Sequence, residues 1–189
     1  MNFAEYNVKD ANLEEILLAL KSLDTVEAVA LGGSRSTGAS DENSDYDIYV
    51  YCAEIPTAET RENLLEKYCS IAEFGNHYWE SEDNTVMNNG IPVDIIYREV
   101  DRFGRYIDTV IKGGKAFNGY TTAFWHNIKN SKVLFDKTGT FTKFRDMAQI
   151  DFPENLRSAI IKNNRNLLNG KLPSYDRQIK KAQERGDIV

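Results

Sequence analysis

The chain has 189 residues, of which 41% are hydrophobic and 28% are charged, and its mean hydropathy is −0.50. These proportions are ordinary for a globular protein, and no apolar run approaches the ~20 residues needed to cross a bilayer. The N-terminus lacks the basic start and apolar centre of a signal peptide, and Cys52 and Cys69 are too few for a disulfide framework. We therefore expect a cytoplasmic protein without disulfides or membrane contact.

The net charge of −6 is unevenly distributed along the chain. Residues 1–100 contain 6 basic and 20 acidic side chains and sum to −14, whereas residues 101–189 contain 17 and 9 and sum to +8. Phosphate contacts dominate the affinity of proteins for nucleic acid. The acidic N-terminal half therefore argues against duplex DNA as a substrate.

Hydrophobic periodicity predicts helices that alternate with strands. In the first half of the chain, the predicted elements are a helix over 12–23, a strand over 26–31, a polar segment over 34–44 with room for one helical turn, a strand over 44–52 and a helix over 57–69. The second half begins with a predicted hairpin, in which strands over 71–79 and 91–97 are joined by a polar link that ends at the turn sequence Asn88-Asn89-Gly90. The remaining predicted elements are helices over 101–111 and 121–129, a strand over 132–136, and helices over 142–150 and 154–169. Residues 171–189 are highly charged, without an apolar face to complete a helical bundle.

Two motifs occur where predicted strands begin or end. Gly32, Gly33 and Ser34 follow the strand over 26–31, so a tight turn there would let the backbone approach a phosphate. Asp45 and Asp47 follow eleven residues later, and side chains two residues apart on a strand project from the same face with Cα atoms ~7 Å apart. Two carboxylates so placed are able to share divalent cations. The turn alone is also typical of an ordinary strand end.

A third carboxylate, Asp94, lies inside the apolar run Ile91 to Tyr97. An ionised carboxylate is costly in such surroundings without a partner. One interpretation is that Asp94 joins Asp45 and Asp47 at a cation site. The alternatives are an edge-strand residue that faces water, or an ion pair with Arg98.

The order Gly-Gly-Ser, spacer, Asp-x-Asp within a hydrophobic strand resembles the DNA polymerase β-like nucleotidyltransferase superfamily, and over residues 25–136 the chain is most similar to the aminoglycoside and lincosamide nucleotidyltransferase branch. The resemblance implies an α/β (α+β) fold: a small mixed sheet with flanking helices, followed by a helical C-terminal segment. It implies a catalytic domain over 1–140 and a segment over 141–189 that is short for the family. It also implies that the third acid comes from a neighbouring antiparallel strand.

The resemblance implies the activity as well: transfer of a nucleoside monophosphate from a nucleoside triphosphate (NTP) to a hydroxyl of a small-molecule acceptor such as an antibiotic, with release of pyrophosphate. Two Mg²⁺ ions, or Mn²⁺ in their place, would be the cofactors. Asp45, Asp47 and Asp94 would be the catalytic and metal-binding residues. The nucleotide would bind at Gly32, Gly33, Ser34 and Arg35. Dimerisation is common among the aminoglycoside-modifying relatives, so the resemblance also allows a homodimer.

Two other functions stay open at this stage: an antitoxin-like enzyme that modifies a protein hydroxyl, and a nucleotide-binding domain without catalysis.

Several residues also have two interpretations each. Arg35 either contacts phosphate or pairs with Asp41 or Glu42, and Lys162 and Arg165 are weaker candidates for phosphate contact. Acidic residues 80, 82 and 83 either attract a cationic acceptor or form a solvated loop. Tyr78 and Trp79 either stack on a ligand or pack in the core, while His77 and His126 each stand alone.

Overall fold

The computed structural model describes residues 8–38, 41, 44–118, 121–169 and 174–187. These divide into two compact units, the first within 1–105 and 125–149 and the second within 106–124 and 150–189. None of the helices in these ranges is long and apolar enough to span a membrane. The division into a catalytic domain over 1–140 and a C-terminal segment stays a prediction.

A six-stranded mixed sheet lies in the first unit, with spatial order β3-β4-β5-β2-β1-β6. Its strands are β1 (Val26–Leu31), β2 (Tyr46–Cys52), β3 (Cys69–Asn76), β4 (Ser81–Met87), β5 (Pro92–Glu99) and β6 (Lys132–Asp136). All neighbouring strands are antiparallel except β2 and β5, which are parallel. The expected mixed sheet with flanking helices is confirmed. The antiparallel neighbour expected for the Asp-x-Asp strand is wrong, because the strand that carries Asp94 pairs with it in parallel.

The described helices lie close to their predicted positions, with one addition. They are α1 (Ala11–Lys21), α2 (Gly33–Thr37), α3 (Ala58–Leu65) with a 3₁₀ turn (Glu66–Tyr68), α4 (Val100–Ile107) with a π-helical turn (Asp108–Lys112), α5 (Ala123–Asn130), α6 (Thr140–Ala148), α7 (Glu154–Asn169) and α8 (Tyr175–Arg185). The helix α8 was not predicted, because its sequence is dominated by charged residues; none of its residues is buried.

The two faces of the sheet carry different side chains because successive residues of a strand point to opposite sides. One face packs against apolar residues of α1 and α3, and its strand residues are almost fully buried: Val29, Leu31, Ile48, Val50, Val93 and Ile95. The other face carries the polar residues of β2 and β5. At one end of that face, Tyr51 packs edge-on against Phe103 and Phe141, with ring centroids 5.4 Å apart in both pairs.

The second unit is helical and has its own aromatic contacts. The ring of Tyr106 stacks on Phe117 at 5.5 Å and meets Phe124 edge-on at 4.8 Å. On α7, Leu156 is fully buried, and Asn163 donates a hydrogen bond to Asn118 at 3.0 Å. These contacts join α7 to the segment that follows the π-helical turn.

The polar link expected between two hairpin strands is itself the strand β4, so the prediction of a solvated loop there is wrong for Asp83. Within β4, Asp83, Thr85 and Met87 alternate as buried residues and face the apolar side of the sheet. A buried aspartate obscures the period-2 pattern by which strands are recognised. The sequence of this segment therefore looks like a polar loop, although it forms β4, which pairs with both β3 and β5.

Burial of Asp83 depends on Arg61 of α3. The two side chains are 0% and 2% exposed, and Nη2 of Arg61 lies 3.3 Å from Oδ1 of Asp83, which also accepts the backbone N–H of Gly75 at 2.9 Å. The guanidinium also lies over the ring of Tyr97, 4.4 Å from its centroid. Burial nevertheless raises the pKa of Asp83, because desolvation outweighs the Gly75 hydrogen bond and the charge of Arg61.

We predict that Arg61→Met lowers the free energy of unfolding by about 3–5 kcal/mol, because it leaves a buried carboxylate without its partner. Chemical denaturation at neutral pH measures the change. The matched control is Lys180→Met, which removes one partner of an exposed ion pair at a similar distance, 3.1 Å, and we expect a loss below ~1 kcal/mol. The double variant Arg61→Met, Asp83→Leu should recover much of the stability. Equal losses for Arg61→Met and Lys180→Met would contradict the assignment.

Candidate active site

Three aspartates meet on the polar face of the sheet, where β2 and β5 run side by side. The parallel register places Asp47 directly opposite Asp94. Asp45 lies immediately before β2, two residues from Asp47 and therefore on the same face. All three side chains are half-buried. The structure thus brings together the three carboxylates that the sequence nominated.

The glycine turn after β1 packs directly against this group. The N–H of Gly32 donates to the backbone oxygen of Asp47 at 2.8 Å. Gly33 has φ +58°, and a Cβ built on it would overlap Oδ2 of Asp47. A Cβ on Gly32 would overlap the ring of Tyr49. Both positions therefore require glycine for close approach, and Gly33 also requires it for its left-handed backbone.

Burial, together with the charges of Asp45 and Asp94, raises the pKa of Asp47 to about 6. Each of these causes penalises a further negative charge at this point. A divalent cation would relieve the repulsion. The shift is therefore the electrostatic property expected of a cation site before the cation binds.

Asp94 is held by an amide that sequence reasoning missed. The Nδ2 of Asn84 on β4 donates to Oδ1 of Asp94 at 2.9 Å, and Oδ1 of Asn84 accepts from Asn76 at 2.8 Å. On the same face, burial and the charge of Asp94 raise the pKa of Glu82. The alternating pattern of β4 could have placed Asn84 on the same face as Asp94. The buried Asp83 beside it hides that pattern in the sequence.

The alternative in which Arg98 neutralises Asp94 is wrong. Arg98 is buried and forms a two-pronged ion pair with Glu80, at 2.8 Å and 2.7 Å, and it donates to the hydroxyl of Tyr51 at 3.2 Å. Its guanidinium also lies over the ring of Tyr49 at 4.3 Å. Arg98 therefore stabilises the interior beside the site and leaves the charge of Asp94 in place.

Arg35 organises the segment that leads into β2. Its Nε donates to the backbone oxygens of Ser44 and Asp45, both at 3.0 Å, and its guanidinium lies 4.1 Å from the ring centroid of Tyr46. These contacts position Asp45 through its own backbone. The expected alternative partner Glu42 lies outside the described residues, and a phosphate contact by Arg35 stays a prediction.

A cleft of about 210 Å³ adjoins the carboxylates. Its lining residues come from the turn with α2 and from α5: Gly33, Ser34, Ser36, Thr37, His126, Asn127 and Asn130. Among the described residues, the Ser34 hydroxyl has no hydrogen-bond partner. The sequence offered His126 only as an isolated histidine, because its nearness to Ser34 arises from the fold.

The remaining candidate residues lie at the surface. Tyr78 and Trp79 are 70% and 83% exposed in the turn between β3 and β4, so the expectation that they pack in the core is wrong. His77 is exposed in the same turn. Lys162 and Arg165 are exposed on α7 in the second unit. Their contact with phosphate stays a prediction.

The donor set fits Mg²⁺ bound together with a nucleotide rather than a closed protein cage. No group of three histidine, cysteine or acidic side chains in the described ranges has the geometry to hold a metal ion alone. Mg²⁺ at triphosphate sites is usually held by one or two carboxylates, by substrate phosphates and by water. The opposed pair Asp47 and Asp94 matches that requirement.

The site consists of two parallel strands that carry opposed carboxylates, with a glycine turn packed against them. Comparison with known proteins identifies the family. The model of the nucleotidyltransferase domain matches residues 13–117, more than half of the chain, so the chain belongs to that family and is a nucleotidyltransferase. The narrower assignment to the aminoglycoside and lincosamide branch stays a prediction. No curated protein matches the sequence.

Solved structures with a similar fold include two of nucleotide-bound proteins. A toxin–antitoxin crystallised with AMP-PNP has 16% identity and a TM-score of 0.41, over 92% of this chain and 94% of that chain. The poly(U) polymerase Cid1, in complex with a UTP analogue, has 18% identity and a TM-score of 0.36. That match covers 64% of this chain and 39% of Cid1, so the chain spans less than half the length of that enzyme.

We predict that Gly33→Ala disrupts the site far more than Gly38→Ala does. Both glycines have positive φ, +58° and +78°, so both substitutions incur a similar backbone strain of roughly 1–2 kcal/mol. Only the Gly33 methyl would displace Asp47, since nothing lies within 4 Å of a Cβ at Gly38. Thermal melting with Mg²⁺ and NTP measures the effect, and we expect ligand stabilisation to persist in Gly38→Ala and vanish in Gly33→Ala. Equal ligand responses would contradict the packing of the turn on Asp47.

We predict that Asp47→Asn raises the melting temperature of the metal-free protein at about pH 8, because it removes a charge that the fold disfavours. A carboxyl whose pKa is raised from 3.8 to about 6 in the folded state ionises first in the unfolded state, so its cost to stability accumulates between these two values and is complete above about 6. The difference between variant and wild type should therefore be constant above about pH 7, shrink as the pH falls below 6 and be lost by about pH 4.

The matched control for that experiment is Asp24→Asn, at an exposed aspartate before β1. We expect it to leave the melting temperature unchanged across the same pH range. A gain in Asp47→Asn that is independent of pH would show that the effect does not come from ionisation.

Proposed function

We propose that this protein transfers a nucleoside monophosphate from an NTP to a hydroxyl of a small-molecule acceptor, with Mg²⁺ as cofactor and pyrophosphate as leaving product. The observation that carries the proposal is the opposition of Asp47 and Asp94 in parallel register beneath the Gly32-Gly33 turn. The family supplies the reaction class, and the carboxylates supply the place where a metal–triphosphate complex is held. Mn²⁺ has the same preference for oxygen ligands and is a candidate replacement.

Within this proposal, Asp45 and Asp47 hold the nucleotide-bound cation and Asp94 completes the catalytic site. When bound, Mg²⁺ supplies charge stabilisation at the α-phosphate and at the leaving pyrophosphate. The turn at Gly32 and Gly33 brings the backbone close to the phosphates, and the Ser34 hydroxyl is available to donate a hydrogen bond to them.

The chemical step needs one base and one leaving group. The acceptor oxygen forms a bond to the α-phosphorus, while the bond from that phosphorus to the bridging oxygen breaks and pyrophosphate departs. Asn84 occupies Oδ1 of Asp94. Oδ2 has no protein donor among the described residues, so it is open to accept the proton of the acceptor hydroxyl. Asn84 therefore fixes which oxygen acts as the base.

The character of the site favours a cationic acceptor such as an aminoglycoside. Glu82 lies beside Asp94 on the same face, and the adjoining turn exposes Tyr78 and Trp79. Negative charge attracts amino groups, and exposed rings provide stacking surfaces for a sugar or a cation. Arg98 is engaged by Glu80 and therefore does not compensate that negative charge.

We predict that one or more of ATP, GTP, CTP and UTP raise the melting temperature in a Mg²⁺-dependent manner, and that Asp45→Ala and Asp94→Asn lose this response. A ligand at ~100 times its Kd adds ~2.7 kcal/mol, which corresponds to roughly 5–11 °C at this size. With the NTP so identified, pyrophosphate release over a panel of amino sugars and other hydroxylic acceptors should fall about a hundred-fold or more in Asp94→Asn.

The control variant for both measurements is Asp24→Asn, which should behave as wild type. Mass spectrometry of the acceptor then identifies the added nucleotide. A nucleotide adduct on protein instead would replace the small-molecule acceptor with a protein hydroxyl. Binding without turnover for every acceptor would favour a nucleotide-binding domain without catalysis, and full activity in Asp94→Asn would refute the mechanism.

A further inference from the structure

The cleft beside the carboxylates is lined by hydroxyl, amide and imidazole groups, with no aspartate or glutamate among its described lining residues. The hydroxyls of Ser36 and Thr37 already donate to backbone oxygens of the turn, which leaves the hydroxyl of Ser34 available to a ligand. This lining contrasts with the neighbouring group of Asp45, Asp47 and Asp94. Gly33 belongs to both, because it lines the cleft and packs against the carboxylate of Asp47. A ligand that reaches across Gly33 therefore meets the carboxylates on one side and an uncharged polar cleft on the other.

The α5 wall of the cleft is fixed by its own hydrogen bonds. Nδ2 of Asn127 donates to the hydroxyl of Tyr49 at 2.8 Å, which ties α5 to β2. Nδ2 of Asn130 donates to the backbone oxygen of His126 at 2.8 Å and lies 3.2 Å from its Nδ1. An amide N–H at Nδ1 makes that nitrogen an acceptor, so the proton of a neutral His126 ring sits on Nε2. His126 is exposed and offers that N–H as a donor.

The cleft lies at the C-terminal end of α5, where the helix dipole would repel an anion. Two carbonyl groups of its last turn are, however, already occupied. The oxygen of Asn127 accepts from Ser131, and the oxygen of Ile128 accepts from Arg145 at 3.3 Å. The oxygen of Ser131, just beyond the helix, accepts from the same arginine. The buried guanidinium of Arg145 thus places a positive charge where the negative end of the dipole would otherwise act.

Size and composition indicate which part of a nucleotide fits. At about 210 Å³, the cleft is smaller than the roughly 300–1,000 Å³ of pockets that enclose whole small molecules. Its described lining contains no phenylalanine, tyrosine or tryptophan, although nucleobases are commonly held by stacking on such rings. The free hydroxyl of Ser34 and the N–H of His126 are donors, which matches phosphate oxygens.

We propose that His126, on the α5 wall of this cleft, donates a hydrogen bond to the terminal phosphates of the NTP held at the Gly33 turn. The inference rests on the proposed function and deepens it by assigning a phosphate-binding residue to α5. Hydrogen bonds to charged groups are worth more than neutral ones, so loss of this donor should weaken triphosphate binding about ten-fold or more. Ligands without terminal phosphates should be unaffected.

The test uses the fact that the chain has two histidines, of which His77 lies in the exposed turn before β4. Their imidazole C–H signals are followed by proton NMR in the wild type and assigned with His126→Gln and His77→Gln. The probes, each with Mg²⁺, are inorganic tripolyphosphate, ATP (or the NTP that melting identifies) and its nucleoside. We expect tripolyphosphate and the NTP to shift the His126 signal and the nucleoside to leave it unmoved.

Calorimetry completes the test, with His77→Gln as the matched control. His126→Gln should weaken the NTP and tripolyphosphate but leave the nucleoside monophosphate at its wild-type affinity. A shift of His126 by the nucleoside alone would assign the cleft to base or ribose and overturn the proposal. If the NTP stabilises the protein and His126 does not respond, the proposal falls while the proposed function stands. If no NTP binds, both fall together.

Discussion

The site depends on the parallel pairing of β2 with β5, because this pairing forces two carboxylates into adjacent positions. Like charges directly opposite each other on neighbouring strands are destabilising. The opposing free energy comes from the other face of the same strands, where Ile48, Val50 and Ile95 are fully buried. A one-residue slip between the strands would move these side chains to the polar face. The apolar face therefore fixes the register, and the register holds Asp47 against Asp94.

The charges around the site are arranged so that its negative potential persists. The buried arginines on α3 and β5 are each paired with an acid other than the three aspartates: Arg61 with Asp83 and Arg98 with Glu80. A guanidinium close to Asp94 would otherwise serve as a built-in counterion and compete with a metal. Asn84 donates a hydrogen bond to one oxygen of Asp94 without adding charge. The fold thus supports the carboxylates with a neutral amide, which favours binding of an external cation.

Most strands and the carboxylates were predictable because their signals are local. The strand β1 has its predicted bounds, and Asp47 and Asp94 stand out as acids inside apolar runs. The strand β4 was missed because Asp83 is buried by an ion pair with a residue of α3, and such a partner leaves no periodic signal. The direction of β5 and the nearness of His126 to Ser34 arise from strand order, which local patterns do not encode. The alternation of residues along β2 and β5 was enough to find the aspartates. It did not reveal Asn84, which donates a hydrogen bond to Asp94 from the strand that was missed.

Gly33 connects the two parts of the site, the carboxylates and the neighbouring cleft. Its missing side chain lets the turn contact Asp47, and the same turn presents Ser34 to the cleft. A cation bound at the carboxylates would bring phosphates toward the turn, while the donors of the cleft balance the phosphate charge beyond it. Neither set of groups suffices alone for a tetra-anionic triphosphate, since carboxylates repel phosphate and a few neutral donors compensate little charge. Their contact across a single glycine makes one continuous surface that is acidic on one side and uncharged and polar on the other, and under the proposed function this surface would receive a metal-bound triphosphate rather than a free anion.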